Sequence, residues 1–334
     1  MRQRIHQIDA LRGLAALGVA AFYHIGVVIG SYRSTPLGQF WPFSWVQASG
    51  FTFVDLFFVI SGYVFAHVYV DRATGRTSTS LREFALARFA RLYPLHLVTL
   101  LAAAAVLATW PSLGVGHPND ARGFVLNLLM LQSLNSGLSF NIPSWSISVE
   151  CFCYAVFILA ARTGKLPLAA AAFIPIGLAM TLTAGGFYIG RGFLGFFVGY
   201  VMWRSDTRSV PLAFCLIAIG LLAPRLISVG PLFSLTLWPG VIILALRSKV
   251  MAAPALIWLG DRSYSIYLIH MPLYWAIFGL LGPQKAQWAV MAFSVVAVLA
   301  LADLSYRFIE RPARDRIRLS DAPKFEPTFR RYVG

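Results

Sequence analysis

The chain has 334 residues, of which 58% are hydrophobic and 12% charged, with 28 basic residues against 13 acidic ones and a formal net charge of +15. A soluble domain carries about 25% charged residues, so this composition excludes an ordinary water-soluble fold. The bases fall between apolar runs, where the positive-inside rule expects them; topology accounts for the charge, and no nucleic-acid partner is required.

A membrane-crossing helix needs about 20 largely apolar residues. Runs of that kind fall near 8–30, 51–70, 90–110, 145–161, 166–185, 188–203, 210–227, 229–246, 264–282 and 286–308. They predict an all-α integral membrane protein, a bundle of about ten transmembrane helices. The first run follows Arg2 and Arg4, is too long for the apolar region of a signal peptide and lacks a convincing cleavage site. The piece from Phe124 to Leu134 is too short to cross and is expected to be re-entrant or interfacial.

Basic residues orient the bundle. Arg2 and Arg4, then Arg72, Arg76, Arg82, Arg88 and Arg91, then Arg162 with Lys165, Arg204 with Arg208 and Arg247 with Lys249 all mark inner loops. Ten spans with both termini cytoplasmic satisfy them all. Making 124–134 a full span would reverse every later loop. The expected organisation is a membrane domain over 1–311 and a basic cytoplasmic tail over 312–334. Cys151, Cys153 and Cys215 lie in apolar segments, the first two on different helix faces, so neither a disulfide nor a metal site is expected.

Ionisable residues inside membrane helices are costly and mark function by default. His24 falls toward the outer part of the first span, Asp55 near the outer end of the second and Glu150 in the outer turns of the fourth. A neutral imidazole accepts a proton on one ring nitrogen, and a carboxylate on the other fixes its tautomer and stabilises the imidazolium. The three groups at one depth therefore suit general-base chemistry; the other reading is that each hydrogen-bonds a neighbouring helix. On the inner side, Arg12 opens the first span, and Arg88 and Arg91 share one face of the third. Such a face suits phosphate recognition, or serves as snorkelling anchors. His270 sits beside Pro272, which removes a backbone hydrogen bond and can open the helix.

Five segments, in order, resemble acyltransferase family 3, the integral-membrane enzymes that O-acylate surface carbohydrates. They are Ile8-Asp-Ala-Leu-Arg-Gly-Leu-Ala-Ala-Leu17, Val54-Asp-Leu-Phe-Phe-Val-Ile-Ser-Gly-Tyr63, Arg88-Phe-Ala-Arg-Leu-Tyr-Pro94, Pro143-Ser-Trp-Ser-Ile-Ser-Val-Glu150 and Tyr264-Ser-Ile-Tyr-Leu-Ile-His270. The resemblance implies an acyl-CoA donor, acetyl-CoA foremost, and a carbohydrate hydroxyl as acceptor. It places the family's arginine and histidine at Arg12 and His24, its paired arginines at Arg88 and Arg91, and its tryptophan-to-glutamate segment at Trp145 and Glu150. It also implies the bacterial inner membrane and the stand-alone type, without a fused hydrolase-like domain. Ser61, Tyr63, Trp145 and His270 are expected to position substrate, and no metal is expected. The family pattern usually places ten residues between arginine and histidine; here there are eleven. Twelve steps of straight α-helix leave Arg12 and His24 roughly 120° apart. A π-bulge between Gly13 and Tyr23 would absorb the extra residue.

The expected mechanism holds the phosphates of cytoplasmic acyl-CoA on Arg12, Arg88 and Arg91 and threads the thioester toward His24. There His24 deprotonates the acceptor, with Asp55 or Glu150 on its other nitrogen. The alternatives are a transporter or flippase of a lipid-linked glycan and a non-catalytic membrane scaffold.

Overall fold

The computed structural model describes residues 4–25, 39–40, 43–114, 120–134, 139–183, 187–226, 231–282 and 288–320. Residues 321–334 of the expected tail lie outside these, as do parts of the spans expected at 8–30, 166–185, 210–227, 229–246 and 286–308. Among the described residues the fold is helical, with no strand.

The first helix, α1 (His6–Leu17), continues without a break into a π-helical segment, Gly18–His24. The short α2 (Phe43–Ser49) leads through a 3₁₀ turn into α3 (Phe53–Tyr69). The long α4 (Leu81–Thr109) starts nine residues before the apolar run. A capping box sets that start: Ser80 Oγ accepts from the Glu83 amide at 3.2 Å and Glu83 Oε2 accepts from the Ser80 amide at 2.8 Å. Then come α5 (Ala121–Leu128), α6 (Trp145–Thr163), α7 (Leu166–Thr181) and α8 (Phe187–Ser205). The C-terminal half holds α9 (Val210–Leu226), α10 (Trp238–Arg247), α11 (Pro254–Asp261), α12 (Ser263–Leu281), α13 (Trp288–Ser305) and α14 (Arg311–Ser320). A second π-helical segment, Phe233–Leu237, precedes α10, and a third, Tyr306–Glu310, joins α13 to α14.

Five of the ten expected spans coincide with helices long and apolar enough to cross a membrane: Phe43–Tyr69, Leu81–Thr109, Ile142–Thr163, Ser263–Leu281 and Ala289–Arg316. The apolar pieces Leu166–Thr181, Val210–Leu222 and Phe233–Arg247 are shorter. Within the described residues these pieces reach about 20–24 Å at 1.5 Å per residue, against a hydrocarbon core of about 30 Å. The stretch expected not to cross, Phe124 to Leu134, begins inside α5, which is eight residues or about 12 Å long and ends at Leu128, and closes in a 3₁₀ turn at Gln132–Leu134.

The centre of the bundle is the α3–α8 pair. A Cβ added to Gly62 would lie 1.7 Å from the Phe196 carbonyl oxygen, and one on Gly199 would lie 1.9 Å from that of Val59. Glycine at these positions, with Gly195 facing the Phe58 side chain, lets the two backbones touch. Small residues drive helix association in membranes in this way. The same pair carries the buried ion pair of Asp55 and Arg191, at 2.8 Å. On α1, Gly13 meets the backbone of Leu259 and Gly260 on α11.

Candidate active site

Two imidazoles meet where the end of the first helix crosses α12. Nδ1 of His24 lies 2.8 Å from Nε2 of His270, and the rings are 5.1 Å apart and 18° from parallel. Nδ1 of His270 lies 3.1 Å from the Ile266 carbonyl oxygen. A carbonyl only accepts, so His270 carries its proton on Nδ1. With both rings neutral, Nε2 of His270 then accepts from Nδ1–H of His24, and His24 is left with a lone pair on Nε2. The chain of hydrogen bonds leaves His24 in the tautomer that a general base needs.

The π-helical segment makes this meeting possible. Absorbing one residue reduces the effective separation of Arg12 and His24 to eleven α-helical steps, or about 20° instead of about 120°. The π segment Gly18–His24 overlaps the stretch between Gly13 and Tyr23 in which a bulge is expected and extends one residue beyond it. Tyr274 of α12 pins it: its hydroxyl donates at 3.1 Å to the Ala20 carbonyl, which also accepts from the Ile25 amide five residues on.

Pro272 leaves α12 unbroken from Ser263 to Leu281. It lacks the N–H that would bond the Leu268 carbonyl, and the side-chain amide of Asn141 donates to that carbonyl instead, at 2.8 Å. The helix therefore passes His270 without opening.

The carboxylates expected beside His24 are elsewhere. Asp55 is buried and accepts from Nε of Arg191 at 2.8 Å. Arg191 is itself held over the rings of Phe51, Trp145 and Phe187, at 5.2–5.4 Å from their centroids. Glu150 accepts from Ser61 Oγ at 2.6 Å and from the Tyr154 hydroxyl at 2.7 Å. The group on the second nitrogen of His24 is His270. Shared depth, which the sequence gives, does not fix which way a side chain points around its helix. Tyr63 is buried among core residues, and Trp145 packs between Phe58 and Tyr188.

A cavity of about 660 Å³ opens nearer the start of the first helix. Arg12, Arg88 and Arg91 line it, as the sequence suggests, with Ser61, Tyr154 and Glu150 on one wall. Arg4, Arg311 and Arg314 line it as well. Arg88 is held by the Tyr69 hydroxyl at 2.9 Å and lies over the Phe65 ring, 4.9 Å from its centroid. Tyr264 of α12 also faces the cavity, and its hydroxyl donates to the Leu92 carbonyl at 2.7 Å. His270 lies six residues further along α12, about 9 Å. Among the described residues no group of His, Cys, Asp and Glu side chains is placed to hold a metal ion.

Sequence reasoning missed Arg191, Arg311 and Arg314. Arg191 carried a usable signal, being one cation inside the apolar run of α8. The other two look like ordinary basic tail residues until α14 folds back against α4.

The model of the acyltransferase 3 family, described as an acyltransferase domain, matches residues 5–307. The chain is 27% identical to peptidoglycan O-acetyltransferase OatA of Listeria monocytogenes over 94% of its own length and 56% of that protein's. It is 27% identical to acyltransferase MdmB of Streptomyces mycarofaciens, over 75% of each chain. It is 23% identical to putative peptidoglycan O-acetyltransferase YrhL of Bacillus subtilis over 92% of its own length and 54% of that protein's. The chain thus spans little more than half the length of the Listeria and Bacillus relatives. No solved structure matches it.

Proposed function

The chain belongs to the acyltransferase 3 family, and on that premise we propose that it moves an acetyl or other short acyl group from acyl-CoA to a carbohydrate hydroxyl, with His24 as general base. The observation that carries the reading is the hydrogen-bond chain from the Ile266 carbonyl through His270 to His24, which leaves a lone pair on His24 Nε2. Two relatives are named for O-acetyl transfer to peptidoglycan, which supports a carbohydrate acceptor.

In the proposed step, the acceptor hydroxyl gives its proton to His24 Nε2 as its oxygen attacks the thioester carbonyl. The tetrahedral adduct collapses, the C–S bond breaks, and the thiolate leaves as the sulfur takes the proton from the imidazolium. His270 is a positioning residue, accepting from Nδ1–H throughout. The inner cavity is the proposed donor site, its arginines matched to phosphates. Asp55 is proposed to hold α3 to α8 through Arg191, and Glu150 to shape the donor cavity with Ser61 and Tyr154. Neither is given the imidazole-orienting role that the sequence suggested.

For topology we propose the ten-span arrangement with both termini cytoplasmic, in a bacterial inner membrane, the bilayer thinning around any helix that falls short of the hydrocarbon core. The rival transporter reading leaves the tautomer chain without a task. Purified protein in vesicles, given labelled acetyl-CoA and candidate glycans, is expected to release CoA only when an acceptor is present. His24→Ala should slow this by about 10²–10⁴-fold, and His270→Ala should lower kcat with little change in KM for the donor. Normal turnover by folded His24→Ala protein would refute the assignment.

A further inference from the structure

The inner cavity holds more positive charge than its own carboxylates engage. Arg4 is bound by Asp9 and Asp261, each at 2.5 Å, and Arg311 lies 3.7 Å from Asp315. Arg12 reaches Asp9 only at 4.0 Å. Among the described residues, Arg88, Arg91 and Arg314 form no ion pair within 4.0 Å. Arg12, Arg91 and Arg314 line the same cavity, so their charges repel one another, and Glu150 in its wall offsets part of that repulsion. Six arginines against the four carboxylates Asp9, Glu150, Asp261 and Asp315 leave the void net positive, which favours an anion in it.

The cavity has two distinguishable ends. Ser61, Glu150 and Tyr264 form the wall from which α12 runs on to His270. Arg4, Arg311 and Asp315 lie where the cavity meets solvent, with side chains 46%, 69% and 52% exposed. Arg314 is fixed there by its Tyr306 contact, 5.3 Å from the ring centroid, and by a 3.3 Å hydrogen bond from Nε to the Glu310 carbonyl. Arg311 and Arg314 are three residues apart on α14, on one face.

We propose that α14 is the nucleotide clamp of the donor site, with Arg311 and Arg314 binding the 3′-phosphate of CoA. The inference rests on the acyl-CoA reading above and deepens it. A thioester directed at His24 leaves the adenosine end of the donor at the open end of the cavity. The diphosphate in the middle of the molecule then falls to Arg12, Arg88 and Arg91, and the terminal phosphate to α14. A donor presented on phosphopantetheine alone would leave the α14 arginines without a ligand.

The test compares CoA with 3′-dephospho-CoA by calorimetry, on the full chain in nanodiscs. The wild type should bind CoA about tenfold or more tighter, the scale of a charge-assisted contact. Arg311→Gln with Arg314→Gln should bring the ratio to about one while leaving dephospho-CoA affinity within about twofold, which also reports an intact fold. Arg314→Lys should keep part of the preference. A wild-type ratio of one, a ratio unchanged in the double variant, or an equal loss for both ligands would overturn the clamp and leave the donor reading standing. A wild type that binds neither ligand overturns both.

Discussion

Deleting Ala21, one residue of the π-helical segment, should leave the enzyme active, whereas inserting an alanine between Ala20 and Ala21 should abolish turnover. The extra residue in Gly18–His24 is already absorbed by the wider turn. Removing it returns the segment to α-helical register and keeps Arg12 and His24 about 20° apart. Inserting a residue that the segment cannot absorb rotates His24 by about 100° and advances it about 1.5 Å. With side-chain tips about 5 Å from the helix axis, that rotation carries the imidazole about 8 Å from its place. Its hydrogen bond to His270 is 2.8 Å long, so it cannot survive the move. Loss of the positioned base lowers the rate by about 10²–10⁴-fold. The assay is acceptor-dependent CoA release in vesicles, with gel filtration to confirm that each variant is folded. A folded deletion variant as inactive as His24→Ala, beside an active insertion variant, would refute the idea that the π segment serves to set the azimuth of His24.

Two predictions concern the α3–α8 core. Arg191→Met strands the buried Asp55 carboxylate and should destabilise the protein by about 3–5 kcal/mol; adding Asp55→Leu should restore most of that loss, as read by unfolding in a denaturing detergent. Gly62→Ala drives a methyl group against the Phe196 carbonyl and should cost about 1–3 kcal/mol; a wild-type melting temperature would contradict the close contact.

Much of the helix pattern was legible because apolar runs and charges between them follow directly from the cost of placing polar groups in lipid. The π segment was legible for a sharper reason: the resemblance supplies a ten-residue spacing, and the eleventh residue between Arg12 and His24 converts into an angle. Contacts between helices are not encoded in that way. His270 lies 246 residues from His24, and Arg191 lies 136 from Asp55. The polar-residue pattern gives their depth but not their azimuth, so the carboxylates and the histidine looked equivalent. Helices such as α1 and α8, central in the bundle yet carrying Arg12 and Arg191, show the same limit, since their burial depends on neighbours brought from elsewhere in the chain.

One helix joins the two ends of the proposed reaction. Tyr264, Tyr267, His270 and Tyr274 follow at spacings of three, three and four residues, so they share a face of α12. Tyr264 forms part of the cavity wall, Tyr267 hydrogen-bonds Ser146 on α6 at 3.0 Å, His270 holds the proposed base, and Tyr274 pins the π segment that aims it. Asn141 satisfies the carbonyl that Pro272 would leave bare, so the face is not interrupted between donor wall and base. A flexible connection would let the thioester and the imidazole be positioned independently, and each degree of freedom would lower the fraction of encounters in reactive geometry. A single rigid face removes that freedom. This explains why the residues that orient His24 come from α12 rather than from the carboxylates on α3 and α6, whose hydrogen bonds already hold the bundle and the donor cavity in shape.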